Sequence, residues 1–348
     1  MHFYITLFIL VFFTSFCCSY SKNKYFYLSF KMICFALLFC PSAFRFGIGT
    51  DYFNYYSIFG KIKLGKIITQ EPGWYLLNLF IIRIGLNFQW VIILSSFFTI
   101  YYIFKTPKKD FFVVVVLFFC LYYLDSYNAT RQALAMSICW YSYLCYIKSK
   151  KIKSYIYILI AITFHYSAIV FLIVTVVFDF FYISKKKNFT ILIIILFIFS
   201  NSFQNVLFWL ISFTPYSIYI KNIIYFNQRA GGFGNVWSIL IRYFILLWMC
   251  FSVNKSKCAK GEYSSIQILT VSLLFFDILG VSLFMFQRIR MFFFISYIAL
   301  MRVLIRNNGF ENKLKNSLFI VFFILYYFVL KLITGANAII PYECIRLF

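Results

Sequence analysis

Long apolar runs broken by short basic clusters set the pattern of this chain. Residues 2–19, 25–44, 88–104, 111–124, 129–147, 189–213, 237–253, 264–286, 291–305 and 317–333 are apolar with little interruption. A helix needs about 20 such residues to cross the hydrocarbon core of a bilayer. Lipid cannot satisfy backbone polar groups, so these segments must be helices and not open strands. Residues 154–183 read as a further hairpin, short for two crossings, that bends at 165–167. Residues 74–84 are apolar but too few to cross, and read as a re-entrant or interfacial helix. The pattern predicts an all-α polytopic membrane protein with about 12 (11–13) crossings. It forms a single integral membrane domain over 1–348, with no soluble domain large enough to act alone.

The basic clusters orient the crossings. Lysine-rich stretches at 105–109, 148–153, 185–187, 255–260 and 306–315 are assigned to the cytoplasm, because Lys and Arg are retained there. The tip at 125–128, the loops at about 45–71 and 214–236, the tip at 287–290 and the tail 334–348 then lie outside. Residues 2–19 have a signal peptide's length but no basic segment before them; Lys22 and Lys24 follow instead. They read as a retained first helix with its amino terminus outside. The five prolines, Pro41, Pro72, Pro107, Pro215 and Pro341, all fall at run ends, as expected of a residue that stops helices.

Composition agrees. Only 12% of residues are charged, about half the share usual in a soluble domain. The net charge of +24 does not imply nucleic acid, since the lysines sit in short clusters between apolar runs and build no extended basic domain. Ten cysteines include no CxxC pair and lie mostly in apolar runs, where a thiol acts as a small hydrophobe.

Candidate chemistry comes from sorting the charges by type. The cytoplasmic clusters are almost all lysine, whereas Arg45, Arg131, Arg229, Arg242, Arg288, Arg290 and Arg346 fall outside or near outer helix ends. Orientation does not explain arginine on that side. Its planar fork binds phosphate oxygens bidentately and tolerates partial burial, so the group suits a phosphate-bearing substrate; snorkelling to the interface is the structural alternative. Of the nine acidic residues, Asp110 and Glu262 flank lysines and read as loop residues. Asp179 reads as a partner of Lys185–187, and Asp277 as either an arginine's buried partner or part of a pathway. Asp51 and Glu71 share the first external loop with Gly47, Gly49 and clustered tyrosines, Tyr55 among them. Tyrosine faces suit sugar rings, though an interfacial aromatic belt is the commoner use. His165, beside a predicted bend, is either a structural residue or a base. No second His or Cys stands at ligand spacing, so no metal site is expected.

Four stretches taken in order carry a resemblance: Arg45-Phe-Gly-Ile-Gly-Thr-Asp51-Tyr-Phe-Asn-Tyr55, Glu71-Pro-Gly-Trp-Tyr-Leu-Leu77, Thr130-Arg131-Gln132-Ala-Leu-Ala135 and Ala161-Ile-Thr-Phe-His165-Tyr-Ser167. Together with Arg288-Ile-Arg290 and Pro341-Tyr342, they resemble the EpsG-like branch of the Wzy-type O-antigen and capsule polymerases. The resemblance implies a GT-C-like fold in a bacterial inner membrane and a metal-independent glycosyltransferase facing the periplasm, without cofactor. It would move a growing glycan from undecaprenyl diphosphate to the non-reducing end of the next lipid-linked repeat unit. Donor and acceptor are then both undecaprenyl-diphosphate-linked oligosaccharides; membrane lipid and a chain-length regulator are further partners. On this expectation Arg131, Arg288 and Arg290, with Arg45 and Arg229 behind them, stabilise the leaving diphosphate. Asp51 is the first choice of base and His165 the second; Glu71, Gln132 and Tyr55 orient the sugar or the arginines. A flippase or other transporter of lipid-linked units, or an O-antigen ligase, is the alternative. A carrier would be expected to place polar groups near the midplane of both halves.

Overall fold

The computed structural model describes residues 1–66, 70–180, 209, 212, 233–253, 258, 261–282, 284–306, 310–335 and 338–344. Among these the chain is helical, with one isolated antiparallel bridge between Arg45 and Cys344. His2–Tyr20, Lys24–Ala43, Glu262–Gly280 and Leu314–Ile333 are long and apolar enough to cross a membrane, and Phe88–Phe104, Tyr166–Val177 and Leu240–Ser252 are shorter apolar helices. The predicted crossing at 189–213, apart from residues 209 and 212, and most of the loop at 214–236 lie outside the described residues. The chain divides into two compact units, Met1–Ile169 with Lys313–Phe348, and Val170–Asn312.

The first unit begins with α1 (His2–Tyr20) and α2 (Lys24–Ala43), followed by α3 (Tyr52–Lys63), α4 (Pro72–Arg83), α5 (Phe88–Phe104) and α6 (Lys108–Phe118). Next come α7 (Thr130–Tyr146) and α8 (Lys151–Phe164). Helix α1 packs on α2 and α6, α5 on α2 and α7, and α7 on α8. One end of this bundle is lysine-rich. Lys108 Nζ donates to the Ser21 carbonyl, and the Phe112 N–H donates to Ser19 Oγ at 2.8 Å. Tyr102 meets the rings of Tyr141 and Tyr157, with Lys153 lying over both. Lys22, Lys24, Lys105, Lys108, Lys109 and the lysines of 148–153 therefore gather where α1, α5 and α7 finish and α2, α6 and α8 start.

The opposite end carries the candidate chemistry. There Tyr4 Oη donates to the Ile339 carbonyl at 2.8 Å, Tyr342 Oη to Pro41, and Gln89 Nε2 to Ala43 at 2.6 Å. Helix α3 lies in the stretch expected to be a loop. Its Tyr52, Tyr55, Ile58, Phe59 and Ile62 recur at helical spacing and bury against Trp74, Ile81, Phe88, Val91 and Ile92 of α4 and α5. At 12 residues α4 extends about 18 Å, too short to span the core, and it packs between this cluster and α8.

Gly49 fixes how the preceding segment meets the turn at 125–128. Its φ is +97°, and a Cβ there would stand 2.4 Å from the Tyr127 carbonyl oxygen. The close approach lets Asn128 Oδ1 accept from Thr50 Oγ1 at 2.6 Å and from the Asp51 N–H at 2.9 Å. Gly49→Ala combines a strained φ with a backbone clash, and is expected to cost about 3 kcal/mol, read as a lowered midpoint of thermal unfolding in detergent. Before this turn, α6 passes into a π-helical segment at Phe119–Tyr123 that packs on a second one at Ile324–Val329. The rings of Phe119 and Phe328 stand 5.3 Å apart, and Lys331 pairs with Asp125 at 2.8 Å.

The second unit takes in all of α9 (Ile169–Phe180) but its first residue, followed by α10 (Phe233–Ser252), α11 (Glu262–Ser282), α12 (Phe284–Phe292) and α13 (Ile295–Arg306). Helix α11 packs on α10, α12 and α13, and Phe276 stacks on Phe293 at 5.2 Å. Several expectations are corrected. Residues 287–290 form no turn but lie within α12. Pro41 sits inside the last turn of α2 and not beyond its end; its missing N–H removes one hydrogen bond there, and the helix stops two residues later at Ala43. Asp110 and Glu262 are buried helix residues, not loop residues: Asp110 lies in the first turn of α6, where the helix dipole favours an acid, and Glu262 pairs with Arg306 at 3.1 Å and faces Arg302 at 3.9 Å.

Candidate active site

Local sequence builds the site at the start of α4. Pro72 occupies the first helical position, where its missing N–H costs nothing, and Glu71 is the residue before it, in extended conformation. Gly73 follows, and it lets α4 touch the end of α8. A Cβ at Gly73 would lie 2.5 Å from Thr163 Oγ1 and 2.9 Å from the Thr163 carbonyl oxygen. Helix α8 stops two residues later as His165 turns to extended backbone (φ −156°, ψ 115°), its N–H held by the Ala161 carbonyl. Glu71 and His165 are thereby brought together, with Nδ1 and Oε1 3.1 Å apart.

Arg131 completes the group from the first turn of α7. Its Nη1 donates to Glu71 Oε2 and, at 2.6 Å, to Gln70 Oε1. The guanidinium stands 5.4 Å from the ring centroid of Tyr55, and that ring rests 5.4 Å from Trp74. Glu71 is 4% exposed, while the side chains of Arg131 and His165 keep 19% and 12% of their surface. Burial pushes the Glu71 carboxyl up, but the His165 hydrogen bond and the Arg131 charge outweigh it and hold the group below the ordinary carboxylate range. The carboxylate therefore stays ionised near neutrality. Because it can only accept, it fixes the proton of a neutral His165 on Nδ1 and makes Nε2 the basic nitrogen.

The remaining sequence candidates are placed differently. Arg45 is 1% exposed and is held by hydroxyls and a carbonyl: Nη2 donates to Thr130 Oγ1 at 2.9 Å and Nη1 to the Ser42 carbonyl, with the Tyr127 ring at 5.0 Å. No ion pair holds it among the described residues. Asp51 caps the start of α3 beside Asn128, and Gln132 is buried on α7 next to Arg131. Arg288 and Arg290 lie on α12 in the second unit, partly exposed. Arg290 Nη1 donates to Asp277 Oδ1, and Arg242 grips the same carboxylate twice, through Nε at 3.1 Å and Nη2 at 2.9 Å. Arg229 lies outside the described residues.

Sequence reasoning missed Gln70; it offered Asp277 as an arginine's buried partner without saying which arginine, and the structure shows Arg242 and Arg290. Gln70 had a signal in Gln70-Glu71-Pro72, a polar pair at a helix start. The Arg242–Asp277 pairing had one in two isolated charges, each inside an apolar run. Among the described residues no three His, Cys, Asp or Glu side chains gather as metal ligands.

The sequence model of the EpsG family matches residues 28–344, nearly the whole chain. Comparison with curated proteins and with solved structures finds no match.

Proposed function

The chain belongs to the EpsG family, a membership that fits a polysaccharide polymerase, and from that premise we propose a periplasm-facing glycosyltransferase that lengthens a lipid-linked glycan. It takes the growing chain from undecaprenyl diphosphate and joins it to the non-reducing end of an incoming repeat unit on the same carrier. One observation carries the reading. Glu71, Arg131 and His165, distant in sequence, meet through a single carboxylate at the end of the bundle opposite the lysine clusters of 22–24, 105–109 and 148–153. The tendency of lysine clusters to stay on the cytoplasmic side supports a periplasmic orientation for that end in a bacterial inner membrane.

The reaction breaks the bond between the anomeric carbon and the diphosphate oxygen and forms one from that carbon to the acceptor hydroxyl. The departing diphosphate keeps the electron pair, and the Arg131 guanidinium stabilises the charge as it grows. The acceptor proton passes to Nε2 of His165, and Glu71 steadies the resulting imidazolium. Asp51, first choice as base from sequence, becomes second: the carboxylate contact that would tune a base belongs to His165.

The test is a glycan ladder from cells whose own gene is replaced by variants matched for abundance. Arg131→Ala and His165→Ala are expected to leave a single repeat unit on the acceptor, and Asp51→Asn to keep a ladder. General-base loss is worth about 10²–10⁴-fold in rate, enough to erase long chains. A normal ladder from Arg131→Ala removes that residue from the chemistry. Loss of even the single unit, in a strain lacking the gene, would turn the reading towards a flippase or a ligase.

A further inference from the structure

Helix α3 breaks the charge pattern of its unit. The other lysine clusters of the first unit gather at one end of the bundle, yet Lys61, Lys63 and Lys66 follow one another at the opposite end, beside the site. Three contacts fix that location: Tyr52 Oη donates to Gln89 Oε1 at 3.3 Å, the Asp51 N–H to Asn128, and Tyr55 lies beneath Arg131. All three lysines are exposed, and among the described residues none forms an ion pair.

The outward face of the helix is apolar as well as basic. Phe53, Tyr56 and Leu64 are 62%, 59% and 74% exposed, among the most exposed large apolar side chains of the unit. At a helix's 100° per residue, Phe53, Tyr56, Gly60 and Leu64 form one stripe, directed away from the buried Tyr55, Ile58 and Ile62. Lys61 stands on one edge of the stripe and Lys63 on the other. A strip of aromatic and aliphatic side chains edged by flexible cations matches a helix lying in the plane of a bilayer, with rings at the acyl boundary and ammonium groups level with the phosphates. A glycan fits less well. Sugars need polar partners beside a ring, and the most exposed member here is a leucine.

We propose that α3 is a surface-lying anchor whose Phe53, Tyr56 and Leu64 enter the headgroup boundary on the site's side of the membrane, where Lys61 and Lys63 take the phosphates of anionic phospholipids. The proposal does not depend on the polymerase reading. Its consequence for the site is mechanical: the buried face of the same helix holds the tyrosine under Arg131.

The experiment uses the full chain in nanodiscs of phosphatidylcholine with phosphatidylglycerol. Photoreactive benzoylphenylalanine is placed at position 53 or 64, with position 26 on the exposed face of α2 as the reference for lipid contact. Lipid adducts are expected at 53 and 64 as at 26. In parallel, native mass spectrometry follows phosphatidylglycerol binding. Lys61→Gln and Lys63→Gln are each expected to weaken it about five-fold, the worth of one lysine at an anionic surface. Adducts at 26 with none at 53 and 64 would overturn the proposal. Glycan adducts at 53 or 64 in native membranes would assign the face to polysaccharide and overturn it equally, and so would unchanged phosphatidylglycerol affinity in both lysine variants.

Discussion

Glu71→Gln is expected to stop chain lengthening while the protein still accumulates. The amide keeps the shape of the side chain but not its charge, and its NH₂ can donate where the carboxylate could only accept. Nδ1 of His165 then loses the group that fixes its proton, and Nε2 ceases to be reliably basic. A wrong tautomer in a comparable dyad costs about 10⁴-fold in rate. Arg131 loses its counter-charge in the same step, and breaking such a half-buried pair is expected to cost about 2 kcal/mol of stability. Elongation by reconstituted protein separates the two effects from abundance. The pH dependence adds a signature. Glu71 has a depressed carboxyl pKa in the fold, so its stabilisation is complete above the ordinary carboxylate range and is lost as pH falls through the folded value. Wild-type unfolding temperature should hold through neutral and mildly acid pH, then fall. In Glu71→Gln that acid limb should be shallower; an unchanged limb would place the responsible ionisation on another residue.

Asp277→Asn should produce the larger loss of stability. Asp277 is 2% exposed, and its two oxygens take Arg242 Nε, Arg242 Nη2 and Arg290 Nη1. Neutralising it strands the buried guanidinium of Arg242 and unpairs the partly exposed Arg290, whereas removing Arg290 leaves the fork of Arg242 intact. Uncompensated buried charge costs about 3–5 kcal/mol, so Asp277→Asn is expected near the top of that range and Arg290→Met well below it. Thermal unfolding of the single variants and of Arg242→Met with Asp277→Asn gives the coupling. The double variant should recover part of the loss, and simple additivity would mean the contact contributes little.

Much of the helical framework could be read from apolar run length. The ends of α1, α2 and α5 fall within a residue or two of their runs, and the bend at His165 sits where two half-length apolar segments meet. Run length failed where apolar and polar residues interleave. Helix α3 hides its period inside a stretch rich in Gly, Tyr and Lys, and α12 buries Phe286 while carrying two arginines. Proximity to lysines in sequence also misled, since Asp110 is buried in the first turn of α6 and Glu262 owes its pairing to Arg302 and Arg306, some forty residues along the chain. At the site, Arg131, His165 and Glu71 stood out as residue types. That one carboxylate joins the other two depends on Gly73 letting α4 close on Thr163, a packing distance that no spacing encodes.

The first unit is discontinuous, and this bears on how the protein is made. Its closing strip, residues 338–344, meets Tyr4, Pro41, Arg45 and Phe46, all of which leave the ribosome some three hundred residues earlier. During synthesis the opening helices must wait, inserted but unlaced, while the whole intervening unit is threaded into the membrane. A ribosome stalled short of residue 338 would leave a bundle open at the end that holds Glu71, Arg131 and His165, and the insertion machinery would have to shelter it until the last seven described residues arrive.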